Sequence, residues 1–334
     1  DRDSYYGPGN DPLKAYGKTT DLTAMGGAQY VHTFDKCFFM PSDLTAGLEY
    51  NRDRLKDNMW GYDRHTDQTV NIYSAFLQNE WKNDRWGILI GGRLDKHNMV
   101  DNVIFSPRAN LRFNPTQNIN LRLSYSSGFR APQAFDEDMH IENVGGTVAM
   151  IERAKNLKEE KSQSFSASAD MYHRFGVFQT NFLIEGFYTR LTDVFVLGEP
   201  YDRGDGILVK TRSNGPGAKV MGLTLEGKVA YLSILQIQAG LTLQRSRYDE
   251  PHKWHDDAPA EKKIFRTPDT YGYFTATYTP IKPLSIALSG TYTGRMLVQR
   301  MDITAENAEL GAMPERKAEA IRTPRFFDLG VKLA

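Results

Sequence analysis

Apolar and polar side chains alternate one for one along most of this chain, in runs longer than an ordinary sheet uses. Between Asn118 and Gly128, Ile119, Leu121, Leu123 and Tyr125 share one face, while Asn120, Arg122, Ser124 and Ser126 share the other. Leu235, Ile237, Ala239, Leu241 and Leu243 oppose Gln236, Gln238, Gly240, Thr242 and Gln244 in the same way. Phe165, Ala167, Ala169 and Met171 oppose Ser164, Ser166, Ser168 and Asp170, and Phe327, Leu329, Val331 and Leu333 oppose Asp328, Gly330 and Lys332. A period of two belongs to an extended strand, whose successive side chains point to opposite faces. Helical periodicity is nearly absent. A soluble sandwich or propeller also alternates, but its strands average about five or six residues. Runs such as Gln68–Lys82 and Gln179–Leu197 are far longer. A tilted strand of about 9–11 residues crosses a bilayer, so these lengths fit a membrane wall that also projects beyond the lipid. In such a wall the apolar face meets lipid and the polar face a wet lumen.

Connection lengths test this independently. The pattern predicts thirteen strands near 22–34, 43–53, 67–81, 86–97, 105–114, 118–128, 162–175, 178–197, 207–231, 233–248, 267–279, 283–298 and 324–334. Odd-numbered connections are short: 35–42, 82–85, 115–117, 176–177, Leu232 and 280–282. Even-numbered ones are mostly longer: 54–66, 98–104, 129–161, 198–206, 249–266 and 299–323. Alternation of tight turns with long polar loops is the habit of outer-membrane barrels, and a sandwich has no reason to obey it. Trp81, Trp86, Phe113, Phe175, Phe178, Tyr231 and Tyr278 fall beside short turns. Tyr125, Tyr188, Phe195, Tyr248, Tyr271, Tyr292 and Phe326 fall toward the long loops. Two such groups read as interfacial girdles.

Composition then narrows the function. The 334 residues carry 41 basic and 41 acidic side chains, a balance unlike the cationic surplus of a general nucleic-acid binder. One cysteine, Cys37, cannot form an internal disulfide or a cysteine-based zinc cluster. No apolar run is long enough for a transmembrane helix. The mean hydropathy of -0.52 reads as soluble, yet a barrel wall whose lumen face and loops are polar yields the same value. Thirteen is an odd number, whereas single-chain bacterial barrels close with an even one. Open edges in lipid would leave backbone groups unpaired. The expectation is therefore a segment lacking strands on both sides. Ser213-Asn214-Gly215-Pro216-Gly217 reads as a bulge or a turn, and a turn would shift the parity by one.

Ser127-Gly128-Phe129-Arg130-Ala131-Pro132-Gln133-Ala134-Phe135, following the strand Asn120–Tyr125 and preceding Asn156-Leu157-Lys158-Glu159-Glu160-Lys161-Ser162, resembles TonB-dependent outer-membrane receptors. It is most similar to the Bacteroidetes branch grouped with receptors for iron chelates, haem and cobalamin. Val220–Gly227 is similar to that family's Gly-hydrophobic-Glu strand, and Thr323–Gly330 to its third strand from the end. The Asn-Pro-hydrophobic box of the family is here Asn156-Leu157 without a proline. The resemblance spans essentially the whole chain. It implies an all-β fold: an antiparallel transmembrane β-barrel segment, about 13 strands of a roughly 22-strand barrel with a plugged lumen. Residues 1–334 would then be a partial barrel domain, the plug, signal peptide and last strands lying outside it. The partners implied are the TonB complex reached through that plug, a small chelate ligand and membrane lipid, with room for a surface lipoprotein. No nucleic-acid partner and no cofactor are expected.

Three loop features carry candidate chemistry. Arg130 and His140 stand among Asp136, Glu137, Asp138 and Glu142. His140 is a possible ligand to a haem iron or chelated metal, and Arg130 suits carboxylate pairing at the loop base. His252, Trp254, His255 and Asp256 form the second group, offering imidazole and carboxylate to a metal and an indole to a planar ligand. Asp202 and Asp205, with Asp53 and Asp63, offer oxygen ligands of the kind calcium takes, without the twelve-residue calcium loop. Each also has a plain reading: an exposed side chain in a solvated loop. Phosphate-cradling and zinc-protease motifs are absent.

These features predict energy-coupled import of a scarce solute, with Asn120, Arg122, Asp170, Gln236 and Gln238 wetting the path and no bond made or broken. Siderophore, haem, cobalamin and oligosaccharide all fit a loop-rich mouth. The rivals are a passive porin-type channel, with loop 129–161 as its constriction, and a rim hydrolase using His140, His252 or His255.

Overall fold

Every ladder in the wall is antiparallel, and each long strand bonds to its neighbours in chain order. The computed structural model describes residues 2–5, 16–60, 64–133, 142–144, 147–204, 208–254, 258–303 and 316–334. Among them, in chain order, are β1 (Arg2–Tyr5), β2 (Tyr16–Cys37), β3 (Met40–Met59), β4 (Arg64–Lys82), β5 (Trp86–His97), β6 (Ile104–Thr116) and β7 (Ile119–Arg130). Next come β8 (Glu142–Val144), β9 (Thr147–Arg153), β10 (Glu160–Phe175), β11 (Phe178–Thr192), β12 (Phe195–Asp202), β13 (Leu208–Asn214) and β14 (Ala218–Tyr231). The remainder are β15 (Leu235–His252), β16 (Glu261–Lys263), β17 (Thr270–Ile281), β18 (Leu284–Thr293), β19 (Leu297–Ile303), β20 (Arg316–Arg322) and β21 (Phe326–Leu333).

The wall runs β1-β2-β3-β4-β5-β6-β7-β10-β11-β14-β15-β17-β18-β21. Without the four-residue β1 at its edge, thirteen strands remain, the number the alternation predicts. Among the described residues β21 bonds only to β18, and β1 only to β2, so the wall is an open sheet. Short and long connections alternate as expected. Residues 38–39, 83–85, 117–118, 176–177, 232–234 and 282–283 turn tightly at one end. At the other end the chain makes longer excursions, three of which fold into additional strands outside the wall: β8 and β9, β12 and β13, β19 and β20.

Several strand limits differ from the sequence reading. The first two strands run further, to Cys37 and from Met40, which shrinks their connection to Phe38-Phe39, with Phe38 at φ 64°. The strand expected over 178–197 leaves the wall at Asp193, whose φ of 54° breaks the extended path. The stretch 207–231 divides at 215–217, where Pro216 has no N–H to give a ladder. A Cβ on Gly217 would stand 2.6 Å from the Asp249 carboxylate and 2.9 Å from the Leu191 carbonyl, so the chain passes there only without a side chain. The stretch 283–298 similarly ends its wall strand at Thr293.

Strand register decides the surroundings of each face. One lateral row reads Trp86, Phe113, Leu121, Ala169, Ile184, Leu225, Leu241, Gly272, Tyr292 and Phe327 across ten strands. The row one residue away reads Arg112, Arg122, Ser168, Glu185, Thr224, Thr242, Tyr271 and Thr293. Apolar side chains of the first face stand open, Ile90 at 56%, Leu123 at 56% and Leu329 at 56% exposure. No second layer covers them among the described residues. The buried apolar clusters lie at the long-loop end instead: Val100, Ile104 and Ala131 with Phe129, and Trp254, Ala258 and Ala318 with Phe265. A sheet with its greasy side uncovered and its polar side facing inward is a barrel wall that lipid completes.

All seven aromatics beside the short turns face outward by register. Trp86 stacks on Phe113 at 4.3 Å, Phe178 meets Tyr231 at 4.9 Å, and Trp81 donates its indole N–H to the Cys37 carbonyl at 3.0 Å. At the long-loop end Tyr125, Tyr188 and Tyr292 face outward as expected. Tyr248, Tyr271 and Phe326 do not: their ladder partners put them on the inward face. Phe195 lies outside the wall altogether, in β12.

Candidate functional site

The excursions from β7–β10 and β11–β14 fold together over the long-loop end. Their strands make one sheet in the order β12-β13-β9-β8, joined across the two loops by a parallel ladder from Leu208–Ala149 to Arg212–Arg153. Ala154 donates its N–H to the Arg212 carbonyl at 2.9 Å. Asn214 stitches both loops: its Oδ1 accepts the Lys158 N–H at 2.8 Å, and its Nδ2 donates to the Lys158 and Asp193 carbonyls. Met150 and Val209 are fully buried within this unit.

Two arginines tie it to the wall. Arg130 ends β7 directly opposite Glu160, which begins β10. The Glu160 carboxylate accepts the Phe195 N–H at 2.9 Å, and the Arg130 guanidinium stands 5.6 Å from the Phe195 ring centre. That cation over an aromatic face fixes where β12 leaves the rim. Arg153, at the end of β9, donates to the Gln68 amide oxygen and to the Pro132 carbonyl, both at 2.9 Å. Gln68 is on the inward face of β4, opposite Leu55, so the loop sheet reaches over the lumen side. His97 secures the segment that leaves β7. Its Nδ1 accepts the Met99 N–H at 3.0 Å, which leaves the proton on Nε2 to reach Gln133 at 3.1 Å.

The remaining predicted residues fall apart from this node. His252 ends β15, its ring 5.8 Å from Tyr248, and burial pulls its imidazole below the ordinary histidine range. Trp254 is only 7% exposed and packs with Ala258, Ala318 and Phe265. Its indole therefore belongs to a loop core, with little ring surface left open for stacking on a planar ligand. Asp202 accepts the Gly204 N–H at 2.7 Å, the bond of a simple turn. Asp53 faces Thr23 across the β2–β3 ladder and accepts the Thr23 hydroxyl proton at 3.2 Å. His140, His255, Asp256, Asp205 and Asp63 lie outside the described residues. Among the described residues no three His, Cys, Asp or Glu side chains come together as a metal cluster.

Inside the wall, several polar groups pair with one another, while the buried Asn51 Oδ1 and Ser246 Oγ have no hydrogen-bond partner among the described residues. Arg93 pairs with Glu49 at 2.6 Å and Asp95 at 2.8 Å, and Ser74 donates to the same Asp95 at 2.6 Å. Arg122 donates to Asn120, Asn181 donates to Asp170, and Gln238 donates to the Tyr273 hydroxyl. Asn120, Arg122, Asp170, Gln236 and Gln238 all sit on the inward face, as predicted. The nodes at Arg153, Gln68, His97 and Asn214 have no sequence signature, since each joins segments far apart in the chain.

A family model described as TonB dependent receptor-like, beta-barrel, matches residues 1–326. The chain belongs to the TonB-dependent receptor β-barrel family. Members reside in the bacterial outer membrane, whose lipid is what this receptor's outward face meets. No curated protein matches the sequence. Among solved structures, the siderophore receptor PirA from Acinetobacter baumannii is 15% identical, with a TM-score of 0.66 over 96% of this chain and 48% of that one. The ferric enterobactin receptor PfeA from Pseudomonas aeruginosa, in complex with BCV-L6, is 17% identical, with a TM-score of 0.68 over 96% of this chain and 48% of that one. The FrpB iron transporter from Neisseria meningitidis is 15% identical, with a TM-score of 0.64, covering 95% and 48%. At these identities the likeness is one of fold, and the receptor sequence spans about half the length of each structure.

Proposed function

We propose that this chain forms wall and mouth of an energy-coupled importer that carries an iron chelate of the siderophore class across the outer membrane. The observation that carries the reading is the pairing of an inward polar wall with a folded two-loop sheet held over it by Arg130 and Arg153. Relatives of the same fold are a siderophore receptor, a ferric enterobactin receptor and an iron transporter, which favours an iron chelate over haem, cobalamin or an oligosaccharide. Ligand contact is assigned to His252 together with His140 and His255, with Asp256, Asp202 and Asp205 as further donors; Arg130 and Trp254 position the loops that present them. Release from a tight site needs outside work, which the TonB complex supplies through a plug domain outside this sequence. A surface lipoprotein is a compatible further partner. The transported solute undergoes no chemistry, so the protein is not an enzyme.

The test uses the full-length receptor. Titration with a ferric catecholate, haem, cobalamin and an oligosaccharide should give binding to the ferric catecholate, and uptake should stop when the membrane is de-energised. If none binds while small solutes leak through receptor-loaded liposomes, the passive channel is correct. Turnover abolished by His252→Ala would instead establish the hydrolase.

A further inference from the structure

His97 closes β5 at the long-loop end and is fully buried. A buried imidazole is stable where each ring nitrogen meets a partner of the right kind. Here Nδ1 accepts the Met99 N–H at 3.0 Å, and Nε2 reaches the Gln133 amide oxygen at 3.1 Å. Together the two bonds fix one neutral tautomer. The first seals the turn that leaves β5, where Val100 also donates its N–H to the His97 carbonyl at 3.2 Å. The second holds the segment that leaves β7. Gln133 bonds back to the Ala131 carbonyl, and Ala131 packs with Val100 and Ile104. Pro132, between them, offers the carbonyl to which Arg153 at the end of β9 donates. One ring thus joins the turn after β5 to the segment that braces the mouth sheet.

A second proton on the ring would undo the first of these bonds. Imidazolium carries N–H on both nitrogens, so at Nδ1 a donor would meet the Met99 donor, and a cation would stand in a site closed to water. The charges around the ring do not offset this. On β5 Asp95 shares the inward face and bears on the ring, but it already accepts from Ser74 and pairs with Arg93, which Glu49 also holds. From β4 the ladder partner of His97 is Ile72, and the next ladder sets Asn51 opposite Ile72 and Asp53 opposite Val70. From β6 Ile104 stands opposite Asp95. In the turn Lys96 donates to the Val100 and Asp101 carbonyls, and Asp101 itself is exposed. The charge that approaches from the mouth is Arg153, a cation.

We propose that His97 is a pH-sensitive latch of the mouth: its protonation expels the ring, frees Met99 and Gln133, and loosens residues 131–133 together with the strand β9 that Arg153 ties to them. The sign follows from the two states. The released ring takes a second proton readily and the latched ring does not, so acid favours release and neutral water favours the latch. With the ordinary histidine value of about 6.5 for the released ring, the ratio of open to latched forms rises about tenfold from pH 7.5 to pH 5.5. The latch acts on the loops whatever solute they capture. It is also separate from His252, which ends β15 in another loop.

The test is amide hydrogen exchange of the full-length receptor in lipid vesicles at pH 7.5 and 5.5, corrected for intrinsic rates. Exchange over residues 98–100, 131–133 and 147–153 should rise about tenfold on acidification, while the wall strands β14 and β17 stay unchanged. Asparagine at 97 sets an amide oxygen near the place of Nδ1 and does not titrate, so His97→Asn should abolish the rise. His252→Gln should leave it intact. Should His97→Asn fail to fold, the unaltered receptor and His252→Gln decide between them. A flat profile in the unaltered receptor, an equal rise in folded His97→Asn, or a rise abolished by His252→Gln would each overturn the assignment.

Discussion

Placing one arginine on either of two adjacent residues of β10 weighs lipid against water directly. Ala169 faces outward between Leu121 and Ile184, and Ser168 faces inward between Arg122 and Glu185. Ala169 is six residues from Phe175, the outward aromatic beside the tight turn. At about 3.3 Å per residue and a tilt near 45°, that places it roughly 14 Å above Phe175. The apolar band of such a barrel is about 25 Å tall, so Ala169 lies near its midplane. Arginine there should cost about 2–4 kcal/mol. Arginine at 168 meets one like and one opposite charge in lumen water, contributions of up to about 1 kcal/mol that oppose each other. The difference, about 2 kcal/mol or more, is roughly a thirtyfold change in the folding equilibrium. Equilibrium guanidinium unfolding of the full-length receptor in lipid vesicles, followed by tryptophan emission, measures it. Equal destabilisation by Ala169→Arg and Ser168→Arg, or a larger loss from Ser168→Arg, would refute the lipid assignment of the face.

Two further outcomes concern the loops. Arg130→Ala removes the cation over Phe195, an interaction of about 0.5–1 kcal/mol; hydrogen exchange over β12 and β13 should quicken about two- to fivefold while β14 and β15 are unchanged. His252 is held below the ordinary histidine range by burial, so the unfolded loop binds its proton more tightly than the folded one. The loop's stability is then fully present above about pH 6.5 and declines as the pH falls through that value. Exchange over 248–265, corrected for intrinsic rates, should rise on acidification in the native receptor and stay flat in His252→Gln.

The wall was legible because its constraint is local. Membrane crossing forces a two-residue period, and Leu121, Leu123 and Tyr125 declare it within a few positions. The loop sheet was not, because the β9–β13 ladder joins Ala149 to Leu208 through space and neither segment alone is periodic enough to announce a partner. The apparent continuity of 178–197 misled for a related reason: Phe195 keeps the alternation going after Asp193 has turned the backbone out of the wall. Tyr248, Tyr271 and Phe326 show that nearness to a loop does not make a girdle residue. Parity along the strand decides the face, and these three have the inward parity. Trp254 lost its expected openness to Phe265 of its own loop and to Ala318 of the next, contacts that no spacing encodes.

A transport path must hold its cargo firmly where capture occurs and weakly everywhere after. Under the proposed import, the inward face of this wall would meet the second condition through bonds that close within the wall itself. Arg93 is held by two carboxylates, Asp95 by Ser74 as well, Arg122 by Asn120, and Asp170 by Asn181. A charged group already paired has little left to give a passing chelate, and moving past it breaks no strong bond. In the proposed importer such a face would wet the path without trapping what moves along it. On the same reading, strong contacts would fall to the loop end, where the sheet β12-β13-β9-β8 is braced by Arg130, Arg153 and Asn214. Bracing reduces the ordering cost of binding there, so in the proposed importer the separate mouth sheet would hold a solute that the wall lets pass.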